Sequence, residues 1–271
     1  MTTSVLMSTY IKECPEFLQC ALKSIWTDQT RQPDEIILIE DGKLNQGLYD
    51  VIKEWKQKLG DRMVIVTNEQ NLGLAISLNN GLRHAKGDII IRMDSDDIAF
   101  PERISVEASY LEQHPEVQIV GSWVEEFIGN KSNVVSTRKV PEFQEEIYQW
   151  GKFRNPMNHP SVAFLRETIL RNGGYTHFLL FEDYHLWVTL LKQGCTFYNI
   201  QYPLLWFRTS QDMFARRGGL RYAVTETKFI YYMYSIGYIS IFQLLRNIPI
   251  RFISRILPNT IRSYIYKKTI R

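Results

Sequence analysis

Residues 88–97 read DIIIRMDSDD, an apolar run that ends in three carboxylates at Asp94, Asp96 and Asp97. Residues 89–93 are apolar except for Arg92, and a short run of this kind is typical of a strand that is buried on both faces of a sheet. Three like charges within four residues repel one another, and a hard divalent cation would relieve that repulsion while leaving room for phosphate oxygens. The alternative is that Asp97 caps the segment before Pro101.

The chain before this stretch alternates short apolar runs with helical patterns, as expected of βαβ units around a mostly parallel sheet. The predicted strands are residues 4–9, 35–39, 63–66 and 88–93, and the predicted helices between them are residues 15–29, 48–59 and 74–85. In such sheets ligands bind beyond the carboxyl ends of the strands. Polar clusters follow three of these strands, so we expect a binding site at that edge, formed by residues 8–10, 40–42 and 94–97.

The second half of the chain has a less regular pattern. Helices are predicted at residues 101–113 and 183–192, and strands at residues 118–127 and 134–140. With 271 residues, 45% of them hydrophobic and 23% charged, the composition is that of an ordinary globular protein with a full core.

A series of short motifs, taken in order, resembles the family 2 glycosyltransferases with the GT-A fold. Residues 94–97 are similar to the Asp-x-Asp motif of that family, and further motifs are residues 4–10, 35–42, 71–75, 79–82, 85–88, 101–103, 158–162, 173–175 and 182–187. Each motif is weak alone, but their common order over residues 4–210 is specific. The chain departs from the family pattern at Ile11, at Glu40 and Lys43 of the second motif, and at Leu78, which affects the details of base and phosphate binding.

This resemblance implies an α/β fold of the GT-A type, a Rossmann-like α/β/α sandwich around a mostly parallel central sheet. Residues 1–215 would form that domain, with a nucleotide-binding half in residues 1–100 and an acceptor half in residues 101–215. Residues 216–271 would form a basic helical tail.

The same resemblance implies the residues that bind the donor. Asp96 would coordinate Mn²⁺ or Mg²⁺ at the donor diphosphate, and Asp94 would hold the ribose or the metal and its water shell. Asp41 would accept a hydrogen bond from the uracil ring. The remaining donor-side residues would be Thr9 and Tyr10 in the base pocket, together with Asn71 and Asn79. For Tyr10, a half-buried aromatic residue at a strand end is an equal alternative.

On the acceptor side, the resemblance favours Asp183 as the general base and Glu182 as its neighbour. Inversion requires a carboxylate that deprotonates the acceptor hydroxyl on the face opposite the leaving group. Both residues open a predicted helix, so capping alone is the alternative. His159 is predicted either to contact the acceptor or to be a packed loop histidine.

The implied activity is inverting transfer of galactose or glucose from a UDP-sugar, with formation of a β-linkage. The expected acceptor is a lipid-linked saccharide on undecaprenyl diphosphate, as in bacterial O-antigen or capsule assembly. Two alternatives remain open at this point. A nucleotidyltransferase would be expected to have a glycine-rich, basic phosphate-binding loop after the first strand. Residues 10–14 contain no glycine. A non-catalytic sugar-binding protein would need neither the acidic pair nor Asp183.

The charge of the tail has one sign. After Glu226 the sequence holds eight bases and no acid, which leaves 24 bases and 29 acids in residues 1–226, a net charge of −5. Arg251, Arg255 and Arg262 recur at helical spacing beside apolar residues, at Phe252, Ile253, Ile256 and Leu257. This pattern predicts a helix at the cytoplasmic leaflet of the inner membrane, with packing against the body as the alternative. The 17 uncharged residues 229–245 predict an amphipathic or packed helix rather than a membrane span.

The expected compartment is the cytoplasm, with peripheral attachment to the inner face of the cell membrane. The three cysteines have no metal-binding spacing and cannot all pair, which favours a reducing environment. The N-terminus lacks the pattern of a signal peptide. No nucleic acid is expected among the partners.

Overall fold

The computed structural model describes residues 1–209 and 218–257. Nine strands of this part form one sheet in the order β3-β2-β1-β4-β8-β6-β9-β5, with β7 paired to β6. Their bounds are β1 Thr3–Thr9, β2 Glu35–Asp41, β3 Met63–Asn68, β4 Ile89–Asp94, β5 Ile98–Ala99, β6 Ile119–Phe127, β7 Val134–Arg138, β8 Ala163–Leu165 and β9 Phe197–Arg208. Strands β1 to β4 are parallel, as predicted, and β6 and β9 are parallel to each other. The short strands β5, β7 and β8 add antiparallel pairs.

Helices cover both faces of the sheet. Their bounds are α1 Pro15–Ile25, α2 Gln46–Leu59, α3 Leu74–His84, α4 Arg103–Gln113, α5 Gln144–Trp150, α6 Arg166–Arg171, α7 Glu182–Lys192, α8 Leu220–Ser235 and α9 Ile241–Ile256. Alternate residues of each buried strand point to opposite faces. On β1, Val5 and Met7 pack with α1, α2 and α4, whereas Leu6 packs with α3 and α7. The α/β/α sandwich is therefore confirmed, with one hydrophobic core on each face.

Strand β9 is the longest strand of the described part, and the sequence pattern did not predict it. Proline removes a ladder donor, so Pro203 argues against a long interior strand. The structure accommodates Pro203 opposite Trp123, where the register between β6 and β9 shifts on both sides of Trp123. The irregularity lets β9 continue to Arg208, next to the acidic cluster.

The tail folds differently from the prediction for residues 229–245. That run is not one helix, because α8 ends at Ser235 and α9 begins at Ile241. Gly237 lies between them at a φ of +68°, and Ser240 caps α9 by a reciprocal pair of bonds with Gln243. Phe229 of α8 is buried in the core of the acceptor half, with its ring 4.6 Å from that of Tyr184. The tail helices thus share a core with the preceding domain.

Two of the tail arginines do not face outward as predicted. Arg255 is buried and donates from Nε and Nη2 to the two carboxylate oxygens of Glu226, at 2.7 and 3.0 Å. Arg251 lies beside the same carboxylate and donates to the carbonyl of Phe153. A buried carboxylate is costly without a paired cation, so Glu226, the last acid of the chain, draws these bases inward. Arg262 of the predicted series, and the tail bases after it, lie outside the described residues.

Candidate active site

The carboxyl ends of the first four strands lie at one edge of the sheet. In the strand register Ser8 is paired with Asp94, Thr9 with Glu40, and Asp41 with Asn68. The polar clusters that the sequence places after these strands are therefore brought together.

The acidic cluster forms a group that fits a metal ion. One carboxylate oxygen from each of Asp94, Asp96 and Asp97 lies within 4.8 Å of the others. Burial, together with the charges of Asp94 and Glu13, raises the pKa of Asp96 to about 7. Asp97 is fully buried, and its Oδ2 has no hydrogen-bond partner within the described part of the chain. Clustered carboxylate oxygens with unmet charge are what a hard divalent cation binds.

Asp97 also has a structural bond. Its Oδ1 accepts from the backbone N–H of Arg208 at 2.7 Å, while the Arg208 guanidinium donates to the Asp96 carbonyl at 2.8 Å. These contacts hold the acidic turn against the end of β9. Of the three carboxylates, Asp94 and Asp96 are half-buried and Asp97 is buried. The role of Asp94 and Asp96 as the metal ligands stays a prediction.

Three charged partners of the cluster were missed at the sequence level. Arg92 is fully buried on β4 and donates to Asp94 Oδ1. Glu13 accepts from the Ser95 hydroxyl at 3.0 Å. The third partner is Arg208, which donates to the Asp96 carbonyl. Arg92, two residues before Asp94 on the same strand, could have been suspected, because a buried arginine needs a carboxylate.

Asp41 shapes the loop that follows β3. Its carboxylate accepts from the backbone N–H groups of Leu72 and Gly73, at 2.8 and 3.0 Å, and from the Asn68 amide at 3.0 Å. A carboxylate offers about four acceptor positions, so one remains for a base N–H. Gly42 is required beside it, because a Cβ at its φ of +83° would lie 2.6 Å from the Asn71 backbone nitrogen. The uracil contact of Asp41 stays a prediction.

The other donor-side residues differ in their surroundings. Thr9 is buried, and its hydroxyl has no partner among the residues described. Tyr10 is exposed at the strand end, and the Asn71 amide lies 3.4 Å from the Asp41 carbonyl. These three therefore line the same edge as Asp94.

Asn79 has a structural role that the sequence did not predict. Its amide donates to the Tyr175 carbonyl at 2.7 Å and accepts from the Tyr175 N–H at 2.8 Å. Gly174 makes room for this contact, since a Cβ there would lie 2.4 Å from Asn79 Oδ1. Asn79 thus ties α3 to the acceptor half, and its binding of the donor stays a prediction.

Tyr175 links the two halves of the site. Burial raises the pKa of its phenol, and the charges of Arg92, Asp183 and Asp94 all act on that group. His159 Nε2 lies 2.9 Å from the Tyr175 hydroxyl, and burial lowers the pKa of His159 well below its ordinary value. A neutral, buried His159 agrees with the packed-histidine alternative; acceptor contact remains only a prediction.

Asp183 lies in the first turn of α7, where the helix dipole stabilises a carboxylate. Its Oδ2 accepts from the Asn155 amide at 2.6 Å. The neighbouring Glu182 is half-buried, and burial raises the pKa of its carboxyl group. The charges of Asp183 and of Asp94 both act on the Tyr175 phenol, so both carboxylates lie in the neighbourhood of that group.

The fold and this edge of the sheet are those expected of a glycosyltransferase. The family model described as Glycosyl transferase family 2 matches residues 4–174. A relative from Escherichia coli, named UDP-Gal:alpha-D-GlcNAc-diphosphoundecaprenol beta-1,3-galactosyltransferase, is 43% identical over 268 residues, covering 99% of this chain and 96% of the relative. The chain belongs to glycosyltransferase family 2, which decides against the two alternative classes.

Solved structures agree on the fold. Staphylococcus aureus TarS 1–349 in complex with UDP-GlcNAc superposes with a TM-score of 0.63 at 15% identity, covering all of this chain and 72% of that one. The mannosyltransferase PcManGT from Pyrobaculum calidifontis, in complex with GDP-Man and Mn²⁺, gives a TM-score of 0.60 at 20% identity, over 83% of this chain and 61% of that one. Both likenesses confirm the GT-A fold predicted from the motifs.

Proposed function

We propose that this enzyme is an inverting, metal-dependent glycosyltransferase that moves a hexose from a UDP-sugar to a lipid-linked saccharide in polysaccharide assembly. Galactose is the first candidate, glucose the second, and the product is a β-linkage. The observation that carries the proposal is the pairing of a three-carboxylate cluster with Asp183 around Tyr175. The name of the Escherichia coli relative supports GlcNAc on undecaprenyl diphosphate as the acceptor.

The acidic cluster serves the leaving group. Asp96 and Asp94 would hold Mn²⁺ or Mg²⁺, which when bound neutralises charge on the departing nucleoside diphosphate. Arg92 holds the Asp94 carboxylate in place, and Arg208 holds the backbone of the turn at Asp96. This chain therefore supplies a preorganised set of oxygens, so little rearrangement accompanies donor binding.

Asp183 serves the acceptor. Its carboxylate takes the proton of the acceptor hydroxyl, whose oxygen attacks the anomeric carbon while the bond from that carbon to the diphosphate breaks. Attack opposite the leaving group inverts the α-configured donor to a β-product. Asp183, held by the Asn155 amide, and Asp94 of the acidic cluster both act on the Tyr175 phenol, and the two groups suit these two tasks.

A donor and acceptor screen tests this proposal. UDP-galactose, UDP-glucose, UDP-GlcNAc and GDP-mannose are each offered with a synthetic lipid diphosphate-GlcNAc acceptor and Mn²⁺. We expect the highest rate with UDP-galactose and a β-anomeric product by NMR. An α-anomeric product, or a preference for GDP-mannose, contradicts the proposal.

We also propose that the tail docks on the cytoplasmic leaflet through helix α9. No helix of the described part is long and apolar enough to cross a bilayer. Helix α9 turns its apolar side outward: Phe242, Leu245 and Ile253 are 81%, 65% and 55% exposed, whereas Asn247 and Arg255 on the opposite side are buried. Exposed apolar patches of this kind mark interaction sites, and the bases of the tail favour an anionic surface.

Replacing Phe242 and Ile253 together by Ser is expected to weaken binding to phosphatidylethanolamine–phosphatidylglycerol vesicles at least tenfold. Each buried apolar side chain contributes roughly 1.5–3 kcal/mol, and 1.4 kcal/mol corresponds to a factor of ten. Vesicle co-sedimentation measures the loss. The control replaces Val134 and Val135, two exposed apolar residues of β7, by Ser.

Vesicle binding of the wild type should weaken as salt is added but should persist, because salt screens the charges and does not screen apolar burial. Unchanged vesicle binding of the double variant contradicts the proposal. Point variants are preferable to removing residues 246–271, because Asn247 and Arg255 are buried against the body.

A further inference from the structure

Asn155 has no role in the mechanism above, yet it contacts the proposed base directly. Its Nδ2 donates to Asp183 Oδ2 at 2.6 Å, and its Oδ1 accepts from the Met157 backbone N–H at 3.2 Å. A backbone N–H can only donate, so Oδ1 must face Met157 and the NH₂ group must face Asp183. The amide orientation is therefore determined by the fold.

The segment that carries Asn155 is anchored at three consecutive carbonyl groups. The Gly151 carbonyl accepts from the Tyr184 hydroxyl at 2.8 Å, and that of Lys152 accepts from the Asn247 amide at 3.0 Å. The Phe153 carbonyl accepts from the Arg251 guanidinium. Tyr184 follows Asp183 on α7, so the segment is held against the helix that carries the base.

The backbone at Asn155 is restricted as well. Pro156 follows it and disfavours helical backbone angles at the preceding residue. Pro156 is buried, and its carbonyl accepts from the buried Asn199 amide at 3.2 Å. The backbone is thus fixed both before and after Asn155. Its side chain therefore reaches Asp183 from a fixed backbone position.

We propose that Asn155 is a positioning residue that orients the Asp183 carboxylate for deprotonation of the acceptor, an inference that rests on the proposed function. It holds Oδ2 and so fixes the orientation of the carboxylate relative to helix α7. A hydrogen bond to a carboxylate also stabilises its charged form, which is the form that takes a proton.

The test compares Asn155→Ala and Asn155→Asp with the wild type over a range of pH. Asn155→Asp keeps the size of the side chain and the acceptor for Met157, but places a like charge against Asp183. We expect kcat at neutral pH to fall roughly tenfold or more. The loss should not exceed the roughly 10²–10⁴-fold that a general base supplies in total. The KM for the UDP-sugar should stay within about twofold of the wild-type value. The acid limb of the kcat profile should move to higher pH, because removing the donor raises the pKa of the base.

The matched control is Asn133→Ala, which removes an amide that donates to the Ile128 carbonyl in the β6–β7 hairpin. It should leave the acid limb in place. A wild-type profile in both Asn155 variants, or a lower kcat with an unmoved acid limb, overturns the positioning role. If Asn155→Ala fails to fold, the profile of Asn155→Asp decides.

Asp183→Asn in the same series separates this inference from the proposed function. If Asp183→Asn is inactive while the Asn155 variants keep the wild-type profile, Asp183 stands as the base and the positioning role is wrong. If Asp183→Asn turns over at the wild-type rate, Asp183 is not the base and both proposals fall.

Discussion

Asp96→Asn should abolish sugar transfer without lowering the stability of the fold. Loss of a carboxylate that holds the metal removes several kcal/mol of leaving-group stabilisation, and about 4 kcal/mol corresponds to roughly a thousandfold in rate. The fold should tolerate the change, because Asp94 and Glu13 repel the Asp96 carboxylate and the amide relieves that repulsion. Transfer assays with Mn²⁺ and thermal unfolding measure the two effects.

Asp94→Asn should lose activity in the same way but also loosen its bond to Arg92. Asp61→Asn, at an exposed position before β3, is the matched control and should behave as the wild type. Near-normal transfer by Asp96→Asn in the presence of EDTA would show that this enzyme needs no metal at the acidic cluster.

The metal affinity should also depend on pH. Because the pKa of Asp96 is raised to about 7, part of the metal-free protein carries a proton there at neutral pH. A cation must displace that proton, so the affinity should rise as the pH rises through about 7. Calorimetry with Mn²⁺ in buffers of different ionisation enthalpy would reveal the proton release.

The first half of the fold could be predicted because its signals are local. Strands β1 to β4 are short apolar runs between helices with clear periodicity, and the structure has each within a few residues of the predicted bounds. Strands β8 and β9 lack that signal. Strand β8 has three residues, and Pro203 interrupts β9, so both depend on pairing with β6 rather than on their own sequence.

The candidate site divides in the same way. The acidic motif and Asp183 stand out in the sequence because their neighbours form recognisable motifs. Arg208 and Asn155 do not, since the bonds from Arg208 to Asp97 and from Asn155 to Asp183 span 111 and 28 residues. Such pairs depend on how the strands and loops pack, which no short stretch encodes.

In the tail, the count of charges is correct, but the direction in which the arginine side chains point does not follow from it. The bases after Glu226 predict an outward cationic face, yet Arg255 turns inward to Glu226, 29 residues before it. The pairing joins two helices, so helical periodicity within α9 alone could not reveal it. The outward face of α9 is instead apolar, and it is this face that the membrane proposal uses.

Asp183→Asn should remove turnover while leaving donor binding intact. A general base contributes roughly 10²–10⁴-fold in rate, and the amide cannot take the acceptor proton. The amide is nearly isosteric and keeps an oxygen for the Asn155 donor, so the fold around α7 should persist. Calorimetry with UDP-galactose and Mn²⁺, beside the transfer rate at saturation, measures the two quantities separately.

Glu182→Gln is the matched variant, one residue away on the same helix turn. Glu182 Oε2 is buried without a hydrogen-bond partner in the described part of the chain, whereas the Asp183 carboxylate is oriented by the Asn155 amide. We therefore expect Glu182→Gln to retain far more activity than Asp183→Asn, with both binding the donor. If Asp183→Asn loses donor affinity but keeps its turnover at saturation, Asp183 acts as a helix cap; if Glu182→Gln is the inactive one, the base is its neighbour.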